Sequence, residues 1–313
     1  MTFNNSVKIL VVGGGLAGLT MVSALNRFKT KKNLEITLIE PSDWHHNQTE
    51  WFQFCNGYTQ KYSPTHLVNL VNSETTNWVD EPLGDLLPEK SYVLTASGKR
   101  LDYDYLIIAC GLCAKWDSIK GLYGKLGRDG IASVFSYENL PWSRSLLSET
   151  IAKRTIFAHP ENNKHFITTS LETAFLYAHR KQKAHNQDDY EINFNVGSSD
   201  LFFNSYHSEV LEKHLAQRRI RISYGNSLIE VRPKTKEAVF YNCNNNSETV
   251  IPFDLLHVAP SMLPPVAIKQ STLSDIDGLV DVNTSTLQTK KWHNIFALGD
   301  ISNATEIKNI SSV

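Results

Sequence analysis

The chain has 313 residues, of which 41% are apolar and 20% charged, and its formal net charge is −1. This length favours two domains or one interrupted domain, and the near-neutral charge excludes proteins that bind nucleic acid or an anionic membrane through a basic surface. Four cysteines are too few for a secreted disulfide framework and lack the spacing of a zinc site, so a reducing compartment and no metal site are expected.

The start of the chain has the pattern of a strand, a glycine turn, a helix and a second strand. Residues 7–12 form a short apolar run, residues 16–28 have helical spacing, and residues 33–40 alternate as a strand. Together they predict a βαβ unit. Because the first run begins almost at Met1, we expect no transit peptide ahead of it. No apolar run reaches the roughly 20 residues that span a bilayer.

The α/β pattern continues along the chain. A polar and aromatic stretch at residues 44–62 precedes a predicted hairpin at 91–101 and a buried strand at 105–110. From residue 151 the pattern restarts, with strands at 154–158 and 191–196 and helices at 170–181 and 209–220. Strands in "RISYGNSLIEVRP", "EAVFYN" and "FDLLHVAP" follow, and residues 242–248 form a polar hairpin tip. We expect a further helix to begin after Asp300.

The glycine turn is the most specific motif. Residues 13–18, "GGGLAG", fit G-x-G-x-x-G between a strand and a helix. Gly13 allows the tight turn, Gly15 lets the backbone approach a pyrophosphate, and Gly18 permits close packing of helix and strand. The helix N-terminus stabilises the phosphate charge, and Glu40, ending the next strand, is placed to accept hydrogen bonds from a ribose. The motif therefore favours a dinucleotide site over a glycine turn without a ligand.

Two later strand ends indicate which dinucleotide binds. Residues 109–111, "ACG", close one strand, and Gly299 and Asp300 close another. In flavoproteins with two dinucleotide-binding domains, the first resembles the Ala-Thr-Gly strand end, with Cys110 replacing threonine, and the second resembles the Gly-Asp segment that holds FAD. FAD is therefore expected at the first site.

The second half lacks the corresponding glycines. No glycine occurs between Gly130 and Gly197, so the backbone after the strand "RTIFA" is not expected to approach a pyrophosphate. We expect no NAD(P) site there.

The chain resembles the mitochondrial type of sulfide:quinone oxidoreductase, a flavoprotein of the pyridine nucleotide-disulfide oxidoreductase-like superfamily. The resemblance covers essentially the whole chain and includes "ILVVGGGLAGLTM", "LIEPSDWHHNQ", "NLIEVRPKTKEAVFYN", "LLHVAPSMLPP" and "LVDVNTSTLQTKKWHNIFALGDISN". It implies a tandem Rossmann-like FAD/NAD(P)-binding fold, FAD, and electron transfer from sulfide to a membrane quinone, with a small thiophilic acceptor. It also implies the matrix side of the mitochondrial inner membrane.

The predicted FAD contacts combine the motifs with this resemblance, on which Gln48 and Leu83 depend entirely. They are Gly13, Gly15, Leu16, Ala17, Gly18, Glu40, Gln48, Leu83, Ala109, Gly111, Gly299 and Asp300. The expected domains are residues 1–113, the first part of an FAD-binding Rossmann domain, residues 114–252, a second Rossmann-like domain without a nucleotide glycine motif, and residues 253–313, a return to the FAD domain.

Departures from the family pattern bear on activity. The family uses two cysteines beside the flavin, whose bridge sulfide attacks. One lies shortly after the first strand of the second domain, where this chain has Phe166. The other lies in a C-terminal segment that also supplies quinone contacts and membrane-docking helices, and that segment is expected to be missing. Asn47 and Thr49 replace an aromatic residue and a proline, and His45 is either functional near the flavin or simply packed.

Three hypotheses follow. The chain is an active sulfide:quinone oxidoreductase, or it is a catalytically degenerate homologue that serves as a structural or binding subunit of a larger assembly. In the third, Cys110 and Cys113 form a replacement dithiol, which a lowered thiol pKa would assist. The alternative to the third is that Cys110 fills the threonine position and Cys113 is an incidental loop residue. Apart from these two weak candidates, no catalytic residue is assigned, and FAD retention stays open.

Overall fold

The computed structural model describes residues 6–29, 33–149, 152–161, 166–184, 190–201 and 205–304. Within these ranges the helices, α1 to α6 in chain order, are Leu16–Lys29, Gln48–Cys55, Leu140–Glu149, Ile167–Ala184, Ser205–Gln217 and Val266–Lys269. The strands, β1 to β20, are Val7–Val12, Leu34–Ile39, Trp44–His45, Thr65–His66, Thr76–Val79, Leu83–Leu87, Tyr92–Thr95, Arg100–Asp102, Tyr105–Ile108, Cys113–Lys115, Ile131–Ala132, Arg154–His159, Glu191–Val196, Ile220–Tyr224, Asn226–Arg232, Glu237–Asn242, Ser247–Pro252, Leu255–Val258, Ser261–Leu263 and Ile295–Ala297.

The first sheet carries the glycine turn. Its strand order is β20-β9-β1-β2-β5, and every neighbouring pair is parallel. Short apolar runs such as "ILVV" in β1 form its centre because a parallel sheet is covered on both faces. β20 pairs with β9, with Ala297 opposite Ile108, so the chain returns to the first sheet after it has built the second.

The second sheet is also parallel, in the order β11-β18-β12-β13-β14. β18 lies beside β12, so the predicted return at residue 253 precedes a strand that belongs to this second sheet. Phe157, Phe194 and Tyr177 are fully buried in the adjoining core. The two parallel sheets with their helices form the predicted α/β, Rossmann-like architecture. None of the described helices is both long and apolar enough to span a bilayer.

Several predicted elements are confirmed and others are corrected. The hairpin at residues 91–101 is β7 and β8, and residues 242–248 join β16 to β17. The helix predicted at residues 209–220 ends earlier, at Gln217, because Ile220 already pairs with Ile192 in the second sheet. The helix predicted after Asp300 would fall mainly on residues 305–313, which lie outside the described residues.

Helix α2 lies in the aromatic stretch, where no helix was predicted. The Asn47 side chain caps its N-terminus by accepting a hydrogen bond from the Thr49 N–H at 3.1 Å. At its C-terminal end, Arg144 of α3 donates to the Phe54 carbonyl and Arg180 of α4 donates to the Asn56 carbonyl, each at 3.0 Å. Two guanidinium groups therefore lie at the C-terminus of α2, which is the negative end of the helix dipole. α2 is therefore anchored to the core of the second half, although it precedes residue 113.

Candidate dinucleotide site

A cavity of about 340 Å³ lies at the carboxyl edge of the first sheet, where β1, β2, β9 and β20 end. This edge is where open α/β sheets bind ligands. The lining residues come from four separate stretches, within residues 13–17, 40–51, 109–112 and 298–300, together with Met262. Segments far apart in sequence therefore meet because their strands are parallel neighbours.

The glycine turn is tight where it packs and open towards the cavity. Gly13 has a φ of +107°, and a Cβ added there would lie 2.4 Å from the Ala109 carbonyl oxygen, so only glycine fits. A Cβ on Gly18 would lie 1.8 Å from the Gly13 carbonyl oxygen. A Cβ on Gly15 would meet no atom within 4 Å. The backbone at Gly15 is thus accessible to a pyrophosphate at the N-terminus of α1.

Glu40 is held at the end of β2. Its carboxylate accepts hydrogen bonds from the Gly14 N–H at 2.7 Å and from the Ser42 N–H at 2.9 Å. The Trp78 indole N–H donates to the Glu40 carbonyl at 2.8 Å. A carboxylate has about four lone-pair sites, so these two bonds leave about two for ribose hydroxyls. The orientation of Glu40 therefore fits a dinucleotide.

The two later strand ends face the same cavity. Gly111 has a φ of +62°, and a Cβ there would meet no atom within 4 Å. Gly299 has a φ of +69°, and its added Cβ would lie 3.3 Å from the Ala17 Cβ, so this turn closes against the start of α1. Asp300 also lines the cavity. The chemistry and shape of these residues fit the dinucleotide portion of FAD.

The structure brings together ten of the predicted contacts and leaves two outside the cavity lining. Those that line it are Gly13, Gly15, Leu16, Ala17, Glu40, Gln48, Ala109, Gly111, Gly299 and Asp300. Gly18 packs beneath the turn instead. Leu83 is half-buried against the core cluster that contains Leu86 and Val93, so its contact with FAD stays a prediction from the resemblance.

The two cysteines of the CxxC segment have environments that suppress thiolate formation. Cys110 lines the cavity, and burial raises the pKa of its thiol to about 12. Cys113 lies in β10, and partial burial also raises its pKa. Both are free cysteines. Since an activated dithiol needs a lowered pKa, these surroundings argue against the replacement dithiol.

An aromatic wall at the cavity was not predicted from the sequence. His46 and Trp51 line the cavity, and the His46 ring lies 4.1 Å from the Tyr137 ring and 5.7 Å from the Trp51 ring, between centroids. Burial and neighbouring His45 lower the pKa of His46. The richness of residues 44–62 in aromatic side chains was the available signal. The wall forms only because α2 packs against Tyr137 of the second half.

The corresponding turn of the second half has different chemistry. β12 ends at His159 and is followed by Pro160, which has no N–H to donate, and by the carboxylate of Glu161. Phe166, at the predicted position of a family cysteine, is only 2% exposed, and its ring centroid lies 6.4 Å from that of Phe135. Proline offers a phosphate oxygen no N–H, and the glutamate carboxylate repels it. The absence of an NAD(P) site stays a prediction.

Comparison with known proteins places the chain among flavoprotein-type folds. Residues 7–141 match the family described as "Pyridine nucleotide-disulphide oxidoreductase". The mitochondrial sulfide:quinone oxidoreductase of Dictyostelium discoideum is 33% identical over 99% of this chain and 68% of its own length.

Two solved structures show the same fold. A chain in the cryo-EM structure of the Tetrahymena thermophila mitochondrial ATP synthase has a TM-score of 0.82 and 19% identity, covering 97% of this chain and 75% of that one. The sulfide:quinone oxidoreductase of Aquifex aeolicus has a TM-score of 0.76 and 19% identity, covering 95% of this chain and 69% of that one.

Proposed function

We propose a function from one premise, which is that this chain belongs to the sulfide:quinone oxidoreductase family. The proposed function is that of an FAD-binding member in which electron transfer from sulfide to a quinone is reduced or lost. The substrates implied by the family name are sulfide and a quinone, and a small thiophilic acceptor would complete the reaction.

The observation that carries the FAD proposal is the convergence of four chain segments on one cavity. Gly15 and the N-terminus of α1 would hold the pyrophosphate, Glu40 would accept hydrogen bonds from the ribose, and Gly299 with Asp300 would hold the ribityl and phosphate portion. When bound, FAD accepts electron pairs and passes them on. This chain's own residues bind and orient the group.

The loss of activity is proposed from two side chains. Phe166 has no nucleophilic sulfur and is buried in the second half. Cys110 lines the cavity, but with a pKa of about 12 its thiol is protonated near neutral pH. Neither position therefore supplies the thiolate that exchange with a sulfur substrate requires.

An absorbance spectrum of the purified protein, before and after incubation with FAD and desalting, tests cofactor binding. Oxidised flavin bands at one FAD per chain would support the proposal. A colourless protein that cannot be reconstituted would contradict it.

Sulfide-dependent quinone reduction by the same sample then tests the second part of the proposal. A rate no higher than that of free FAD is expected, and a clearly higher rate would show that catalysis survives. Phe166→Cys serves as a comparison, because a thiol at this buried position tests whether the missing sulfur alone limits the rate.

A second candidate is a structural or binding subunit of a larger mitochondrial assembly. The absence of a thiol at Phe166 motivates it, and a chain of this fold occurs in a solved structure of a mitochondrial ATP synthase. Isolation of native complexes that contain the chain in fixed stoichiometry would support this candidate. Recovery only as a free, active flavoenzyme would exclude it.

We also propose a mitochondrial location, and specifically the matrix side of the inner membrane, from the family. Fractionation of mitochondria, followed by protease protection and carbonate extraction, tests both. Protease sensitivity in intact mitochondria would contradict the matrix location, and recovery in the soluble fraction would contradict membrane attachment.

A further inference from the structure

A short arm of the chain covers the glycine turn. The arm comprises residues 42–47 and includes β3, which pairs with β4 so that Trp44 lies opposite His66 and His45 opposite Thr65. The Trp44 and His66 rings lie 3.5 Å apart between centroids. The arm is therefore fixed at its outer edge by β4.

A ring of hydrogen bonds connects the arm to the turn. The Glu40 carboxylate joins the Gly14 N–H to the Ser42 N–H. The Ser42 hydroxyl accepts from the Trp44 N–H at 3.1 Å and lies 2.9 Å from the Trp44 carbonyl, to which it donates. The His45 Nδ1 lies 3.2 Å from the Gly14 carbonyl oxygen and closes the ring.

The direction of the last bond follows from its partners. A carbonyl oxygen can only accept, so the His45 Nδ1 carries the hydrogen in this contact. Gly14 therefore has both backbone polar groups held, its N–H by Glu40 and its carbonyl by His45. Two contacts from different sides fix the peptide groups next to Gly15, whose open face would receive the pyrophosphate.

His45 also separates two spaces. It lines the dinucleotide cavity and a neighbouring groove of about 490 Å³ along α1. Leu16 and Asn47 also line both the cavity and the groove. Release of His45 would therefore loosen the turn and remove part of the wall between the cavity and the groove.

We propose that His45 is a positioning residue that latches the arm onto the glycine turn and so presets the turn for the pyrophosphate of its ligand. This inference rests on the proposed binding of FAD. The latch acts through Gly14, so it affects the adenosine diphosphate portion of the ligand and not the isoalloxazine portion.

Three variants test the latch. His45→Leu removes the donor, and His45→Asn keeps an N–H near the position of Nδ1. His293→Leu is the matched control, because His293 is an exposed histidine that lies outside both the arm and the cavity lining. For each protein, dissociation constants for FAD and ADP are measured, and hydrogen exchange of residues 13–18 is followed without ligand.

The expected pattern separates a latch from a packed histidine. His45→Leu raises the dissociation constants for FAD and ADP by the same factor, about tenfold. It also speeds hydrogen exchange in the turn. His45→Asn restores most of the affinity and of the protection from exchange, and His293→Leu changes neither. Unchanged affinity and exchange in His45→Leu, or a loss for FAD without a loss for ADP, would overturn the inference.

Failure of the underlying function gives a different result. If the wild-type protein binds neither FAD nor ADP, the proposed function is wrong. Hydrogen exchange, which is measured without ligand, still tests the latch. Faster exchange confined to His45→Leu would support the latch, and equal exchange in all variants would overturn it.

Discussion

The two halves of the molecule use the same scaffold but differ at the first turn. After β1 the chain makes a glycine turn that leaves the backbone at Gly15 open, and α1 begins at once. After β12 it continues through Pro160 and Glu161, and Phe166 is buried before α4 begins. Both strands are centrally placed in parallel sheets. The central strand of each sheet is thus followed by different residues, and the proline and glutamate after β12 disfavour the approach of a phosphate.

The cores beneath the turns differ as well. In the second half, His257 is fully buried, accepts a hydrogen bond from the Val134 N–H at 3.3 Å, and lies 5.2 Å from the Phe157 ring between centroids. In the first half, Glu40 and Cys110 border open space instead. The polar groups of the first turn therefore border an open cavity, whereas His257 of the second half lies among packed rings.

The largest expected effect comes from a substitution that closes the glycine turn of the first half. Gly13→Ala places a Cβ 2.4 Å from the Ala109 carbonyl oxygen at a φ of +107°. The free protein can relieve the combined strain of about 4 kcal/mol by moving the turn, and binding of FAD would have to restore it. The loss of FAD affinity, measured by titration of flavin fluorescence, is therefore expected to reach up to about a thousandfold. Gly98→Ala, at a φ of +85° with no atom within 4 Å, is the control and retains FAD binding. Normal binding by Gly13→Ala would refute this account of the turn.

The reactivity of the Cys110 thiol reports on its burial at the edge of the cavity. A rise in pKa from 9.0 to about 12 lowers the thiolate fraction of Cys110 about a thousandfold. Iodoacetamide at pH 8 should therefore modify Cys110 up to about a thousandfold more slowly in the folded than in the denatured protein. Peptide mass spectrometry measures both rates, with exposed Cys243 as the internal control. Rapid alkylation of Cys110 in the folded protein would restore the replacement dithiol as a hypothesis.

The packed core of the second half predicts a pH dependence of stability. Burial and the neighbouring His159 lower the pKa of His257 from 6.5 to about 3. The folded protein thus resists a proton that the unfolded chain accepts below about pH 6.5. The contribution of neutral His257 to the free energy of unfolding is therefore complete above about pH 6.5 and is lost as the pH falls towards 3. At pH 5 the free energy of unfolding is lower by about 2 kcal/mol.

Thermal or urea unfolding at pH 7 and pH 5 measures this effect. His257→Gln keeps an acceptor for Val134 but does not titrate, so its stability should fall less between the two pH values. His293→Gln, at an exposed histidine, should behave like the wild type. Equal pH dependence in all three proteins would contradict the assignment to His257.

The smallest expected effect separates ligand binding from stability within the turn. Gly15→Ala adds a Cβ that meets no protein atom within 4 Å, so the stability should change by less than about 0.5 kcal/mol. FAD affinity should nevertheless fall about tenfold, because the methyl group occupies the approach of the pyrophosphate. In the second half, Gly197→Ala would place a Cβ 2.5 Å from the Glu161 backbone nitrogen. This variant should be less stable but should bind FAD with unchanged affinity. Reversal of this pattern would contradict the different roles of the two regions.

Local patterns were sufficient to predict β1, α1, β2 and the glycine turn, because strand alternation, helical spacing and glycine positions are properties of neighbouring residues. Helix α2 was missed. Its eight residues have aromatic side chains on more than one face, and its ends are held by Asn47, Arg144 and Arg180. Two of these three partners lie about 90 or more residues away from the helix, where a local pattern carries no information.

Sequence motifs were sufficient to predict the family, the Rossmann-like fold and most of the residues that line the candidate dinucleotide site. These follow from short motifs whose spacing is fixed by backbone geometry. Three features could not be predicted without the folded structure: the contact of His45 with Gly14, the raised pKa of the Cys110 thiol, and the packing of Leu83 away from the cavity lining. Each of these depends on burial or on contacts between distant segments, which form only when the parallel strands place their ends side by side.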